Sequence, residues 1–456
     1  MRLLRSNCLS LLAFVLPVTA TGQNAPTQAF QEWARQHVHA ISSVEDDTHG
    51  DADLRPLKNM IGDAHVVAFG EPFHGGHEPL AMRNRLIRYG VTQLGFTAVA
   101  LETGLSTSKR VYDHVLGKTT ETDSALKEAF SYGFGSLPEN LDLIQWLRTW
   151  NATQPPSRQV HFYGIDLTGQ FAPYAYRSIE AVLNFVDHAT PSLGRELRKQ
   201  YAGVIPVFRK DKYAALTPSE KDAITGKIQE MISLLRRERI TLIAATSRDE
   251  YEWALREALN AAQDDAYLRS LPAEFDPEQF DPSLQKIQPA DPRELHQAEM
   301  REIGMADNLQ WVQQRESSRG KVFFFAHDGH VETGIQYFVR PQQAAERMVG
   351  TYLRSVLGRD MVVVGTYFGH GADFPAKQMP LPPDAEGIDG MLSSLSIPIF
   401  MMDLRELPSG GILHQWMLAE HKTRNGYYGI YTVAPAEDYD AILFIETITP
   451  TPAIPK

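Results

Sequence analysis

The sequence predicts an α/β fold: a largely parallel central sheet flanked by helices, with a large helical insertion. Three observations carry this. Short apolar, β-branched runs recur at 66–69, 98–101, 160–165, 322–326 and 361–366, and 442–445 adds a sixth. Helical patterns separate them, and strands alternating with helices imply parallel pairing with both faces of the sheet covered. The interval between the third and fourth runs holds about 150 mostly helical residues, far more than a crossover needs.

In chain order, Arg2 and Arg5 precede the apolar stretch 9–18, and small residues follow it. Residues 1–22 are therefore expected to be a signal peptide, with 23–456 as the mature chain, periplasmic or secreted. That apolar stretch is too short to span a membrane, and no later one is longer. Cys8, the only cysteine, falls inside the signal. The mature chain then has no disulfide, no thiol nucleophile and no Cys-ligated metal. Helical character runs over 27–44. Helices are expected at 78–94, with Pro79 at the first position, and at 106–116, 140–150, 177–186 and 342–357. The insertion, at about 172–315, carries helical patterns at 217–244, 248–268 and 293–314 and a Pro- and Asp-rich loop at 271–292. It either forms a cap around its own apolar seam or packs on the sheet as extra layers.

Length alone allows two or three domains. A hydrophobic fraction of 43% and a charged fraction of 22% describe a globular protein with a large core. The formal net charge of −12 argues against nucleic acid or an anionic membrane as partner.

Residues capable of chemistry follow the predicted strands one after another. Gly70-Glu71-Pro72-Phe73-His74-Gly75-Gly76-His77-Glu78 follows the first, Glu102 the second and Asp166 the third. His327-Asp328-Gly329-His330 follows the fourth, and Tyr367 and His370 come after the fifth. In a parallel sheet these ends share one edge, where open α/β folds bind ligands. Singly, each has an ordinary explanation. A Glu past a strand commonly serves a helix N-terminus, His77 directly precedes a helix, and His161 lies within a strand as a satisfied structural histidine. The H-x-x-H spacing of His327 and His330 suits a metal only in the right turn. Convergence is the argument for an active site.

Arg83 adds a second clue. It falls on the apolar stripe of Leu80, Ile87, Val91 and Leu94. A guanidinium buried there needs a carboxylate, and Glu71 or Glu102 is the expected partner. The chain has no G-x-S-x-G elbow and no phosphate-binding glycine loop after a strand. Histidines and carboxylates without a nucleophile suit water activation: a histidine takes the proton, a carboxylate orients it, and an Arg or second His stabilises the oxyanion. The same groups could hold a divalent metal, and residue types alone leave both open.

These motifs resemble the erythromycin esterase family: Gly70-Glu71-x-x-His74-Gly75, Arg83, Leu101-Glu102, Gly164-Ile165-Asp166, Ala326-His327-Asp328-Gly329-His330 and Tyr439-Asp440-Ala441-Ile442-Leu443-Phe444-Ile445. The resemblance runs from about residue 30 to about residue 450. It implies that 23–456 is a single α/β hydrolase-type catalytic domain that opens a macrolactone or related ester by direct water attack. On that likeness His74 is the general base, with Glu71, Glu102, Arg83 and His327 as the other catalytic groups and His330 a further site histidine. Asp166, from its strand-end position, and His77 are expected to contact substrate. No cofactor is expected to be required, though a divalent metal is possible. Pro72-Phe73 and Asp328 depart from the family pattern beside the pocket, which bears on substrate identity. Two alternatives come from the wider superfamily that shares the Gly-Glu-x-x-His motif: a metal-dependent hydrolase or peptidase, and a non-catalytic protein that binds haem or another ligand.

Overall fold

The chain was examined as a computed structural model that describes residues 25–45, 50–167, 174–270, 292–336, 346–375, 379–380, 382–385, 387–424 and 430–452. Residues 1–22 and residues 271–291 of the loop expected at 271–292 lie outside the described residues, and Pro292 is the first residue of a helix.

The described strands, in chain order, are β1 (His39–Ala40), β2 (Val66–Glu71), β3 (Phe96–Gly104), β4 (His161–Asp166), β5 (Lys321–His327), β6 (Ile335–Gln336), β7 (Glu346–Arg347), β8 (Met361–Gly371), β9 (Ile399–Asp403), β10 (His421–Arg424), β11 (Ile430–Val433) and β12 (Ala441–Ile448). Eight of them form one sheet in the order β1-β9-β12-β8-β2-β5-β3-β4. The six runs expected from sequence are its six mutually parallel strands. β9 pairs antiparallel with β12 and with β1, closing one side. Every residue of β2 and β3 is buried, as parallel strands covered on both faces require.

Some element boundaries differ from expectation. The helical character expected over 27–44 ends at His37, because His39 and Ala40 find ladder partners in Met401 and Phe400. Pro79 is the third residue of the helix His77–Tyr89, not the first; Gly75, at φ +81°, makes the turn that starts it two residues earlier. That helix passes into a π-helical turn at Gly90–Leu94. The helix expected at 342–357 begins at Val349 and is preceded by β7; residues 342–345 lie outside the described residues. The pattern at 217–244 is two helices, Pro218–Arg237 and Arg239–Ala245, the first opened by a capping box of Thr217 and Glu220.

Two apolar layers sandwich the sheet. Leu86, Ile87, Leu143 and Leu147 pack with Val67, Phe69, Val99 and Phe323 on one face. Phe30, Met305, Leu309 and Leu353 pack with Ala68, Ala100 and Phe324 on the other. The helical insertion is divided between both expected arrangements. Helices Tyr176–Ala189, Pro191–Tyr201 and Pro218–Arg237 and much of Arg248–Ser270 enclose a core of their own around Val182, Tyr213, Ile228 and Leu268. Helix Pro292–Glu316 lies on the sheet through Met305, Leu309 and Val312. Among the described residues no helix is long and apolar enough to cross a membrane.

Candidate active site

The strand order β2-β5-β3-β4 sets Glu71, His327, Glu102 and Asp166 on successive neighbouring strand ends. Glu71 stands opposite His327 in the ladder, and Gly104 opposite Asp166, with a break in register between Leu101 and Gly104 where Glu102 sits. Gly70 is dictated by packing: a Cβ there would come within 1.7 Å of Asp328 Oδ1. Asp328 in turn accepts the Thr366 backbone N–H at 3.0 Å, which ties the turn after β5 to β8.

Glu71 and His74 form a close pair. His74 Nδ1 donates to Glu71 Oε2 at 2.7 Å, since a carboxylate can only accept. The His74 ring stands edge-on to His327 with centroids 4.9 Å apart, and Phe134 packs against it at 5.0 Å. His327 Nδ1 accepts the Gly329 backbone N–H at 3.1 Å, so the neutral ring carries its hydrogen on Nε2. Glu102 Oε2 accepts the His327 backbone N–H at 2.9 Å and fixes where that ring starts.

The cation that grips Glu102 is Arg301, a residue not singled out from the sequence. It comes from helix Pro292–Glu316. Its Nη2 donates to Glu102 Oε1 at 2.9 Å and to Asp166 Oδ2 at 2.8 Å, while Nε donates to Asp166 Oδ1 at 3.0 Å. Tyr132, whose backbone takes the unusual φ of 59°, adds its hydroxyl as donor to Asp166. His330 Nδ1 donates to Glu302 Oε2 at 2.9 Å, and its Nε2 lies 3.3 Å from Glu102 Oε1. A sequence signal for Arg301 existed: it precedes Met305, Leu309 and Val312 by 4, 8 and 11 positions on the buried stripe.

Arg83 does not make the expected carboxylate pair. Among the described residues no carboxylate lies within ion-pair reach; Nε and Nη2 donate to Asn84 Oδ1 at 3.1 and 2.8 Å, and the guanidinium lies over Phe325. Arg301 is closer to Glu102 and occupies its free oxygen. Beside Glu71, Glu102 and Arg83 is a cavity of about 20 Å³, room for one water, also lined by Asn140, Phe134 and Leu137. His77 is turned away: Nδ1 donates to Glu139 at 2.6 Å and Nε2 faces Glu45 at 3.2 Å. The structure thus brings together Glu71, His74, Glu102, Asp166, His327 and His330, sets Arg83 beside them and leaves His77 outside.

The three imidazoles differ in basicity. Burial pushes the His74 pKa down, but Glu71 beside it, helped by Glu102, more than offsets this and holds it above the usual value. Burial, together with the His74 and His330 charges, holds His327 well below its usual range. Burial likewise lowers His330, yet Glu302 and Glu102 prevail over it and over Arg301, raising the pKa to about 10. Arg301 Nη1, 2.9 Å from His330 Nε2, opposes a proton there. The carboxyls decide: Glu302 at 2.9 Å and Glu102 at 3.3 Å together outweigh Arg301. Glu102 is desolvated, but His330, His74 and Arg301 hold its pKa well below normal.

Among the described residues no three His, Cys, Asp or Glu side chains are grouped as metal ligands. N–H donors engage His327 Nδ1, from Gly329, and both Glu102 oxygens, from His327 and Arg301.

The erythromycin esterase family model matches residues 91–448, a span holding Glu102, Asp166, Arg301, His327 and His330 and beginning after Glu71, His74 and Arg83. The chain is 26% identical over 362 residues to erythromycin esterase type II of Escherichia coli, covering 75% of this chain and 78% of that protein. It is 20% identical over 464 residues to the putative hydrolase YbfO of Bacillus subtilis, covering 97% and 96%. Among solved structures, a Bacillus cereus protein aligns with a TM-score of 0.77 at 22% identity, covering 94% of this chain and 99% of that one. A mutant erythromycin esterase, EreC, in its open conformation aligns at 0.69 and 12% identity, covering 92% and 100%. At those identities the structural matches establish the fold.

Proposed function

The chain belongs to the erythromycin esterase family, and on that premise we propose that it opens a macrolactone or related ester by attack of a water that His74 activates. The observation that carries this reading is the 2.7 Å Glu71–His74 pair standing against His327 at the sheet edge. Glu71 holds Nδ1, so His74 meets water with Nε2 and removes its proton as the oxygen attacks the carbonyl carbon. The resulting imidazolium is stabilised by Glu71 at the same 2.7 Å contact. His327, kept neutral, offers its Nε2–H to the developing oxyanion. His74 then returns the proton to the leaving alkoxide.

Water is favoured as nucleophile because the hydroxyls near this edge are committed. Thr103 Oγ1 accepts from Ser131 N–H, Ser131 Oγ from Gly104 N–H and Ser108 Oγ from Gly164 N–H. Arg301 acts at one remove, holding Glu102 and Asp166 and through Glu102 the backbone of His327. On this reading the substrate is a small-molecule ester or lactone met in the periplasm or outside the cell, and the chemistry needs no metal. A hydrolysis panel of lactones and simple esters, macrolides included, tests it. Turnover of at least one compound by the purified protein, unaffected by chelation, is expected; silence across the panel defeats the proposal.

A further inference from the structure

Arg83 presents an unresolved account. Its guanidinium is buried, carries a full charge and touches no carboxylate among the described residues. Burial lowers its pKa to about 10, with Glu71, Glu139 and Asp142 acting on it from beyond contact distance. Across the 20 Å³ cavity stands Asn140, 3% exposed. Its Nδ2 donates to the Phe134 carbonyl at 2.8 Å, which fixes the amide's orientation. Its Oδ1 is buried and has no hydrogen-bond partner among the described residues. An orphaned acceptor of this kind costs about 1–3 kcal/mol unless something donates to it.

We infer that one ordered water occupies this cavity and bridges Asn140 Oδ1 and Arg83 to the Glu71 carboxylate, making Asn140 a positioning residue for the Glu71–His74 pair. The inference rests on the reading of His74 as base. The water satisfies the orphaned amide oxygen and links the two charged groups. A water has two hydrogens to give; one goes to Asn140 Oδ1 and the other to a carboxylate oxygen of Glu71, whose Oε2 is already engaged by His74. Its own oxygen accepts from the Arg83 guanidinium. The cavity is large enough for one water and has the two to four polar partners that a buried water needs. Glu102 also lines it and is the second acceptor within reach. Arg83 thereby acts on Glu71 at a distance, and the missing direct ion pair is explained: the cavity separates the two. Phe134, which packs on the His74 ring and lends its carbonyl to Asn140, links the same amide to the other side of the base.

Two measurements test this. A high-resolution crystal structure of the wild-type protein should show a water in the cavity at roughly 2.7–3.2 Å from Asn140 Oδ1 and from Arg83. A dry cavity overturns the inference, and that readout does not depend on any activity. Kinetically, Asn140→Leu and Arg83→Met should each lower kcat on the order of tenfold to a hundredfold with KM little changed. Asn140→Leu should also move the acid limb of the pH profile to lower pH, because a loosened Glu71 no longer holds up the His74 pKa. The double variant should be no worse than the poorer single one, since both remove the same water. Multiplying losses, or losses in Asn140→Leu with an unmoved acid limb, mean separate structural roles and overturn it. Should His74→Ala leave activity intact, the parent reading fails instead, and the crystallographic result still decides the water.

Discussion

Strand β4 and helix Pro292–Glu316 join two polar clusters, one at each edge of the sheet, and the two behave oppositely. At the amino edge, Glu316 sits fully buried under four donors. His161 Nδ1 and the Tyr163 hydroxyl each reach Oε1 at 2.6 Å, while Arg319 and Thr97 donate to Oε2 at 2.9 and 3.4 Å. At the carboxyl edge, roughly 22 Å further along the same helix, Arg301 faces Asp166 on β4 and Glu102 on β3, beside the strands β5 and β2 that carry His327 and Glu71. Residue types are nearly the same at both ends. The difference is proton capacity. One carboxylate saturated by donors leaves His161 with a lowered pKa, through burial, and nothing to exchange. Surplus carboxyls at the other edge split three imidazoles into two raised and one lowered, which is the condition for moving a proton at neutral pH.

The largest expected effect tests whether Arg301 is the keystone of the reactive cluster. Arg301→Met leaves two buried carboxylates without their cation and should cost about 3–5 kcal/mol of stability, read by chemical denaturation. A loss below ~1 kcal/mol would place the cluster in contact with solvent and erase the contrast. His74→Ala should lower turnover roughly a hundredfold or more, about 2.7 kcal/mol of transition-state stabilisation. His161→Ala, the matched change at the amino edge, should leave turnover within about twofold. If both variants lose activity equally, proton capacity does not distinguish the edges.

Glu316→Gln should cost about 1–3 kcal/mol of stability while leaving the pH–rate profile where it was. Glu71→Gln should do the reverse, moving the acid limb to lower pH, because it removes the charge that raises the His74 pKa. The smallest effect is a slope. The folded protein holds the His330 proton up to about pH 10, whereas an unfolded chain releases it near 6.5. Stability from this residue is therefore complete below pH 6.5 and declines as pH rises to about 10. Comparing thermal unfolding of wild type and His330→Gln across that window should show the steeper decline in wild type.

Glu71, His74, Glu102, Asp166 and His327 were legible because each directly follows a buried apolar run, and parallel strands put such positions on one edge. Arg83 was correctly marked as buried, yet its partner was misjudged: distance along a helix says nothing about which of two guanidiniums reaches Glu102 first. Arg301 carries the same buried-stripe signal, but on a helix whose sequence does not show that it returns to the sheet edge. Tyr132 had no signal at all; its reach to Asp166 depends on a left-handed backbone that only the surrounding packing enforces. β9 and β1, the antiparallel side of the sheet, have no sequence signal because strands of five and two residues are too short to show a pattern of their own.

The amino-acid sequence by itself determined the alternating elements, the six parallel strands and the roster of acids and imidazoles at their ends, since periodicity and burial are local properties. Only the tertiary structure decided which charge meets which, and so which imidazole is raised in basicity and which is lowered. Those differences follow from distances of a few ångströms between residues more than 200 positions apart, and electrostatic energy in a dry interior varies steeply over such distances.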